Sequence, residues 1–154
     1  MMSRLSFLIA TVCIVCMCAC HAQTSAQIIA ETKDTVAVHA LDKAAFLEKV
    51  FNYEKDSVWT YRSDKPAVID FYTTWCQPCK ALEPVMKELA ESYKDKVVFY
   101  KVDVEAEEEL GAVFGIQSIP TILFVPLKGK PSLAKGAAPK MLVEQAIKEL
   151  LLNE

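Results

Sequence analysis

Glycine is scarce in this 154-residue chain, with only four copies, and no glycine-rich phosphate loop can be built from them. With 53% hydrophobic and 24% charged residues, the same scarcity excludes a disordered or collagen-like protein. Internal repeats and low-complexity segments are absent. Charge of one sign is also lacking: 17 Lys+Arg against 20 Asp+Glu leave a net −3. That balance offers no electrostatic footprint for nucleic acid, and no nucleic-acid partner is expected. Cysteine is scarce where it would build a scaffold. Four of the six (Cys13, Cys16, Cys18, Cys20) fall within the first twenty residues, which leaves Cys76 and Cys79 for the body of the chain. Two cysteines three positions apart cannot form a multi-bridge framework. A chain of this length is expected to form one domain.

The N-terminus has the pattern of an export signal. Arg4 precedes a charge-free run from Leu5 to Cys20, too short for a membrane span of about 20 residues. Cleavage after Ala22 would leave small residues, Cys20 and Ala22, at −3 and −1. The expected division is a cleaved signal at 1–22, a flexible lead-in at 23–34 and a folded domain at 35–154. Loss of 1–22 removes only Arg4, which leaves 16 basic against 20 acidic residues and a net −4. In a rival reading Cys20 becomes a lipid-modified N-terminus, although Met17 stands where a lipobox wants a Leu-like residue. In a third reading the run stays uncleaved as an anchor; the expected compartment is periplasmic or otherwise outside the cytosol. There a lone cysteine pair is a structural staple or a redox tool.

The body alternates strand and helix signals. Thr35–Val38 suits a short strand. Asp42 can cap a helix over Lys43–Asn52, with Ala45, Phe46, Lys49 and Val50 near one stripe. Tyr53–Lys65 is a long polar connection whose aromatics suggest that it packs down. Ala67–Tyr72 and Val97–Val104 read as strands. Gln77–Tyr93 reads as a helix with Leu82, Val85, Met86 and Leu89 on one face and Pro84 inside it. A short helix follows over Glu105–Phe114, then strands at Thr121–Val125 and Pro131–Lys135. Pro139 opens a last helix with an apolar stripe of Leu142, Ala146, Ile147, Leu150 and Leu151. This order implies an α/β domain, a central mixed sheet with helices on both faces.

The chemistry concentrates in Trp75-Cys76-Gln77-Pro78-Cys79-Lys80. At a strand-to-helix junction this pair can close a small disulfide ring. Cys76 would sit at the helix start, where unpaired amides and the dipole favour a thiolate. Cys79, one turn inside, should be the less exposed sulfur. An exposed thiolate attacks a substrate disulfide, and the second sulfur resolves the mixed disulfide. Pro78 restrains the ring. Trp75 can shield the disulfide and offer an apolar contact, or simply pack in the core. Against redox stand two bland readings. A structural ring this small constrains little chain. A zinc site would want four ligands, yet the body supplies these two sulfurs and His39, so no metal is expected.

From Thr35 to Asn153 the chain resembles the thioredoxin family, on several landmarks in order. Ala67–Lys80 looks like that family's second core strand running into its active site. Asp70 falls where the family keeps a buried carboxylate, and Pro84 matches its helix-kinking proline. Lys101, in Lys-Val-Asp-Val, matches the lysine facing that acid. Gly115-Ile116-Gln117-Ser118-Ile119-Pro120-Thr121 looks like the loop holding a cis-proline, and Gly136 matches a glycine near the substrate groove. An Asp buried within an apolar strand should have a raised pKa; the alternative is a solvent-facing Asp at an alternation point, since Val68, Asp70 and Tyr72 share one face. The resemblance implies that Asp70, through water, deprotonates Cys79. It also implies that Ile119 pairs with an extended substrate segment beside Pro120. The chain departs from the common pattern in two places. Gln77 stands where the family usually has Gly, and Tyr53–Lys65 is an extension.

The expected activity is exported thiol-disulfide exchange on disulfide-containing proteins, with no cofactor beyond the Cys76–Cys79 pair. Its electrons would come from a membrane donor, and the chain is expected to be a monomer. A disulfide-donating oxidase or isomerase of the same fold is the nearest rival. A non-catalytic binding module is the rival from another class.

Overall fold

Strand β2 (Ala67–Tyr72) is an apolar run broken by a single acid, Asp70, and it lies at the centre of a five-stranded sheet. The computed structural model describes residues 38–154. The expected signal (1–22), the lead-in (23–34), Cys20 and the first residues of the expected Thr35–Val38 strand lie outside the described residues. After β1 (His39–Ala40) come α1 (Lys43–Lys49), β2, α2 (Gln77–Ser92) and β3 (Val98–Asp103). Then follow α3 (Glu108–Val113), β4 (Thr121–Val125), β5 (Ser132–Lys135) and α4 (Lys140–Ala146), which runs into a π-helical segment, Ile147–Leu152.

The sheet order is β1-β3-β2-β4-β5. β1, β3 and β2 are parallel neighbours, whereas β4 is antiparallel to β2 and β5 to β4. Both faces are covered, as the alternation implied. Val68, Phe99, Ile122 and Phe124 pack on one face against Leu82, Met86 and Leu89 of α2 and against Val143, Ile147 and Leu151. Ala67, Ile69, Phe71, Val102 and Leu123 pack on the other with Phe46 and Val50 and with Leu110 of α3. Successive residues of β2 therefore serve opposite cores. Asp70 shares its face with Val68, on the α2 side.

Asp42 caps α1 by accepting from the Ala45 N–H at 2.8 Å. Asp42→Ala is expected to cost about 1 kcal/mol, read as a lower urea midpoint with an unchanged m-value. An unmoved midpoint would show that burial of Phe46 and Val50 alone holds the helix.

The Tyr53–Lys65 extension does pack down. Trp59 packs against Phe51 with the rings tilted by 40° and their centroids 4.7 Å apart, and it meets Phe114 edge-on at 6.3 Å. The Tyr61 hydroxyl donates to the Lys65 carbonyl at 2.6 Å. Lys43 reaches both Glu54 and Glu109 at 2.8 Å, tying the extension to α1 and α3.

Several sequence expectations are corrected. Among the described residues the first strand is His39–Ala40, and Val38, the one described residue of the expected Thr35–Val38 strand, lies outside it; the position of β1 follows from pairing with Tyr100 and Lys101 rather than from an apolar pattern. Lys49 is exposed, so only Phe46 and Val50 of the α1 stripe are fully buried. Pro139 caps the last helix from outside rather than opening it. In that helix Leu142 and Leu150 face solvent while Val143, Ile147 and Leu151 are buried. The wider winding after Ile147 keeps residues four apart in register with the core.

Candidate active site

The site forms where β2 ends and α2 begins. Cys76 is the N-cap of α2, and its Sγ accepts from the Cys79 N–H at 3.2 Å. Pro78 occupies the first turn, where an N–H would have no helical partner. The two sulfurs are joined at 2.08 Å, with Cα atoms 5.3 Å apart. One expectation fails in this disulfide form. Cys76 is not the more exposed residue, because both cysteines are 4% exposed. What separates them is their surroundings: Cys76 faces a helix amide, whereas Cys79 lines the cavity that holds Asp70. Trp75 is not a core residue. It is 63% exposed, and Gln77 and Pro78 are exposed beside it.

The cavity has a volume of about 300 Å³ and is lined by Asp70, Thr73, Cys79, Lys80, Glu83 and Lys101, among others. Asp70 is only 6% exposed, so it does not face solvent. Its Oδ1 is buried without a hydrogen-bond partner among the described residues. Burial pushes its pKa up to about 7; Lys101 pulls against that rise and Glu83 adds to it. Lys101 is the register partner of Asp70 across β2 and β3. Its Nζ lies 5.5 Å from the Tyr72 ring centroid, so Tyr72 supports the lysine from beside the acid.

The third wall of the site comes from the loop before β4. Ile119-Pro120 is a cis peptide. Since Thr121 pairs with Phe71, this loop lies at the same end of the sheet as the start of α2. The Pro120 carbonyl accepts from the Gly136 N–H at 2.8 Å, and Gly136 takes a φ of +87°. No backbone partner engages Ile119 among the described residues, so its peptide groups can pair with an added chain. Trp75, Cys76, Gln77, Pro78, Cys79, Ile119, Pro120 and Gly136 thus gather at one end of the sheet. Asp70 and Lys101 stand behind Cys79.

Sequence reasoning missed Thr73, Thr74, Lys80 and Glu83 as cavity residues. Glu83 lies four positions after Cys79 on α2, and that helical spacing could have placed it beside the sulfur; Lys80, one position on, carries no such signal. Among the described residues, no group of three His, Cys, Asp or Glu is arranged to hold a metal.

Comparisons with known proteins agree on the family. A family model described as Thioredoxin matches residues 37–149. A thioredoxin of Borreliella burgdorferi is 43% identical over 110 residues, 71% of this chain and 94% of that protein. The chloroplastic M-type thioredoxin of Spinacia oleracea is 33% identical over 112 residues, covering 71% of this chain and 62% of that longer protein. Among solved structures, a Malassezia sympodialis thioredoxin superposes with a TM-score of 0.60 at 32% identity, covering 73% of this chain and 90% of that one. A chloroplastic thioredoxin z matches in fold with a TM-score of 0.62 at 22% identity, covering 73% of this chain and 93% of that one.

Proposed function

Because this chain belongs to the thioredoxin family, we propose that its disulfide exchange runs through Cys76 as attacking sulfur, Cys79 as resolving sulfur and Asp70 as the proton acceptor. The family's members are protein-disulfide reductases acting on disulfide-containing proteins, and the cysteine pair carries the electrons without a cofactor. The observation that supports these assignments is the asymmetry around the ring: the Cys79 amide donates to Cys76 Sγ, whereas Cys79 shares a cavity with a buried acid.

In the reduced protein, the N-cap position and that amide stabilise negative charge on Cys76. The thiolate attacks one sulfur of a substrate disulfide, and the other substrate sulfur leaves as a thiolate. Cys79 gives its proton to the Asp70 carboxylate across the cavity, which has room for bridging water. Its thiolate then attacks Cys76 Sγ. The ring disulfide forms, and the second substrate sulfur departs and takes up a proton. Two electrons have passed from the dithiol to the substrate. Titration near 7 suits Asp70 to both taking and returning that proton. Trp75 and the Ile119 peptide groups would receive an extended substrate segment by strand addition, beside Pro120 and Gly136. Gln77 borders both sulfurs and would tune the reduction potential.

The charge-free run from Leu5 to Cys20 supports export, with Ala22 as the cleavage site and lipidation at Cys20 as the rival. An exported reductase acts as a monomer drawing electrons from a membrane dithiol donor, since soluble cytosolic reductants do not reach it.

Insulin reduction by dithiothreitol should accelerate on adding the protein, and the ring should show a reducing potential. A clearly oxidising potential with no insulin reduction would reject the reductase assignment. Retention of biological function by Cys76→Ser would favour a binding module. N-terminal sequencing of the mature chain from cell fractions should begin at Gln23; an intact N-terminus in the cytosol would reject export.

A further inference from the structure

The Asp70 cavity has a second carboxylate. Glu83 stands on its rim, four residues after Cys79 on α2, with a side chain 50% exposed. Its carboxylate meets Lys87 at 2.7 Å on the outer side. On the inner side it shares the cavity with Asp70 and Lys101. The cavity thus holds two acids, one buried and one at the rim, with two lysines, Lys101 and Lys80, and it is Lys101 whose charge acts on both acids. We propose that Glu83 is a positioning residue for the resolving step: a fixed negative charge that offsets Lys101 and so keeps Asp70 a strong enough base to take the Cys79 proton. This inference rests on the exchange reading above.

The charges point the same way. The hydrogen bond from Lys87 holds the Glu83 carboxyl below its usual range, and Lys101 adds to this, so Glu83 is ionised at neutral pH. Burial dominates the rise at Asp70, Lys101 lowers it and Glu83 raises it. The other groups facing Asp70 are Tyr72 from β2 and Cys79 and Lys80 from α2, while its β4 neighbour, Ile122, is apolar. Without Glu83, Lys101 would act on Asp70 unopposed. The carboxylate would then be a weaker base, and proton removal from Cys79 would slow.

The test is carboxyl NMR titration of Asp70 in the full-length oxidised protein, beside the pH profile of insulin reduction. Glu83→Gln is expected to move the Asp70 midpoint down by about half a pH unit, and Glu83→Lys by about twice that. Glu83→Asp, which keeps the charge, should stay close to wild type. Lys87→Met, outside the cavity, should move the midpoint upward by freeing the Glu83 charge. The acid limb of the Glu83→Gln rate profile should follow the midpoint, and in an Asp70→Asn background Glu83→Gln should change nothing. An Asp70 midpoint unmoved by Glu83→Gln overturns the proposal and leaves disulfide exchange standing. A midpoint that moves without the rate profile also overturns it. A wild-type protein that reduces no insulin at any pH defeats the exchange reading itself, before any variant is made.

Discussion

Replacing Cys76 with serine is expected to leave less than about one part in 10³ of the wild-type insulin-reducing rate. A hydroxyl carries no useful fraction of alkoxide at neutral pH, and oxygen cannot form the mixed disulfide. Cys79→Ser should fail differently. Cys76 keeps its place at the N-cap of α2, so the first attack proceeds, but nothing resolves the adduct. Substrate should accumulate in a covalent complex visible on non-reducing gels and lost on adding dithiothreitol. The structure makes this contrast a sharp test, because exposure does not distinguish the two cysteines. The assignment rests on the amide donated to Cys76 Sγ and on the cavity beside Cys79. If Cys76→Ser trapped partners and Cys79→Ser did not, the two sulfurs would have to exchange roles.

That asymmetry was only half legible in the sequence. The strand-to-helix junction at Cys76 could be read from the apolar run of β2 followed by Pro78, and the favoured position of the first sulfur follows from helix physics alone. Exposure could not be read the same way, because it depends on how the tertiary fold closes around the ring, and both cysteines end up 4% exposed. The central strands were the clearest elements: Ala67–Tyr72 and Thr121–Val125 have the bounds read from their apolar runs. They are buried on both faces, so nearly every residue carries the signal. The edge was the least clear. β1 is two exposed residues held in place by Tyr100 and Lys101, and nothing in His39-Ala40 announces a strand. Helix α3 begins at Glu108, three residues after the Glu105 start that the acidic run suggests. Asp103 instead accepts from the Glu105 N–H at 3.0 Å and builds a turn ahead of the helix. The cavity shows the same division. Asp70 stands out as an acid in an apolar strand, and that is a sequence property. Lys80 and Glu83 look like ordinary solvated helix residues until the topology sets β3 and its Lys101 alongside β2.

The buried acid carries the second large effect, and it acts on stability. Asp70→Asn is expected to stabilise the fold by up to about 4 kcal/mol at pH 8 and by almost nothing at pH 4. In the unfolded chain this carboxyl titrates near the ordinary value of about 3.9. In the folded protein burial pushes it up to about 7. Below about pH 4 both states hold the proton, and burial costs no charge. Between about 4 and 7 the folded state holds more protons than the unfolded one, so the Asp70 contribution to stability falls as pH rises. Above about 7 both states are ionised and the penalty is constant. Asparagine has nearly the same shape and never ionises, so the gap between variant and wild type should open across that window. Urea unfolding at pH 4, 6 and 8 checks this, since the difference between the two proteins cancels all other titrating groups. A gap that stays flat with pH would mean that Asp70 is ionised in the fold without penalty. The same variant should exchange disulfides more slowly, with the mixed disulfide living longer, because the amide cannot accept the Cys79 proton. Gain in stability and loss of turnover would then share one cause, a carboxylate placed where burial disfavours its charge and the resolving sulfur needs a base.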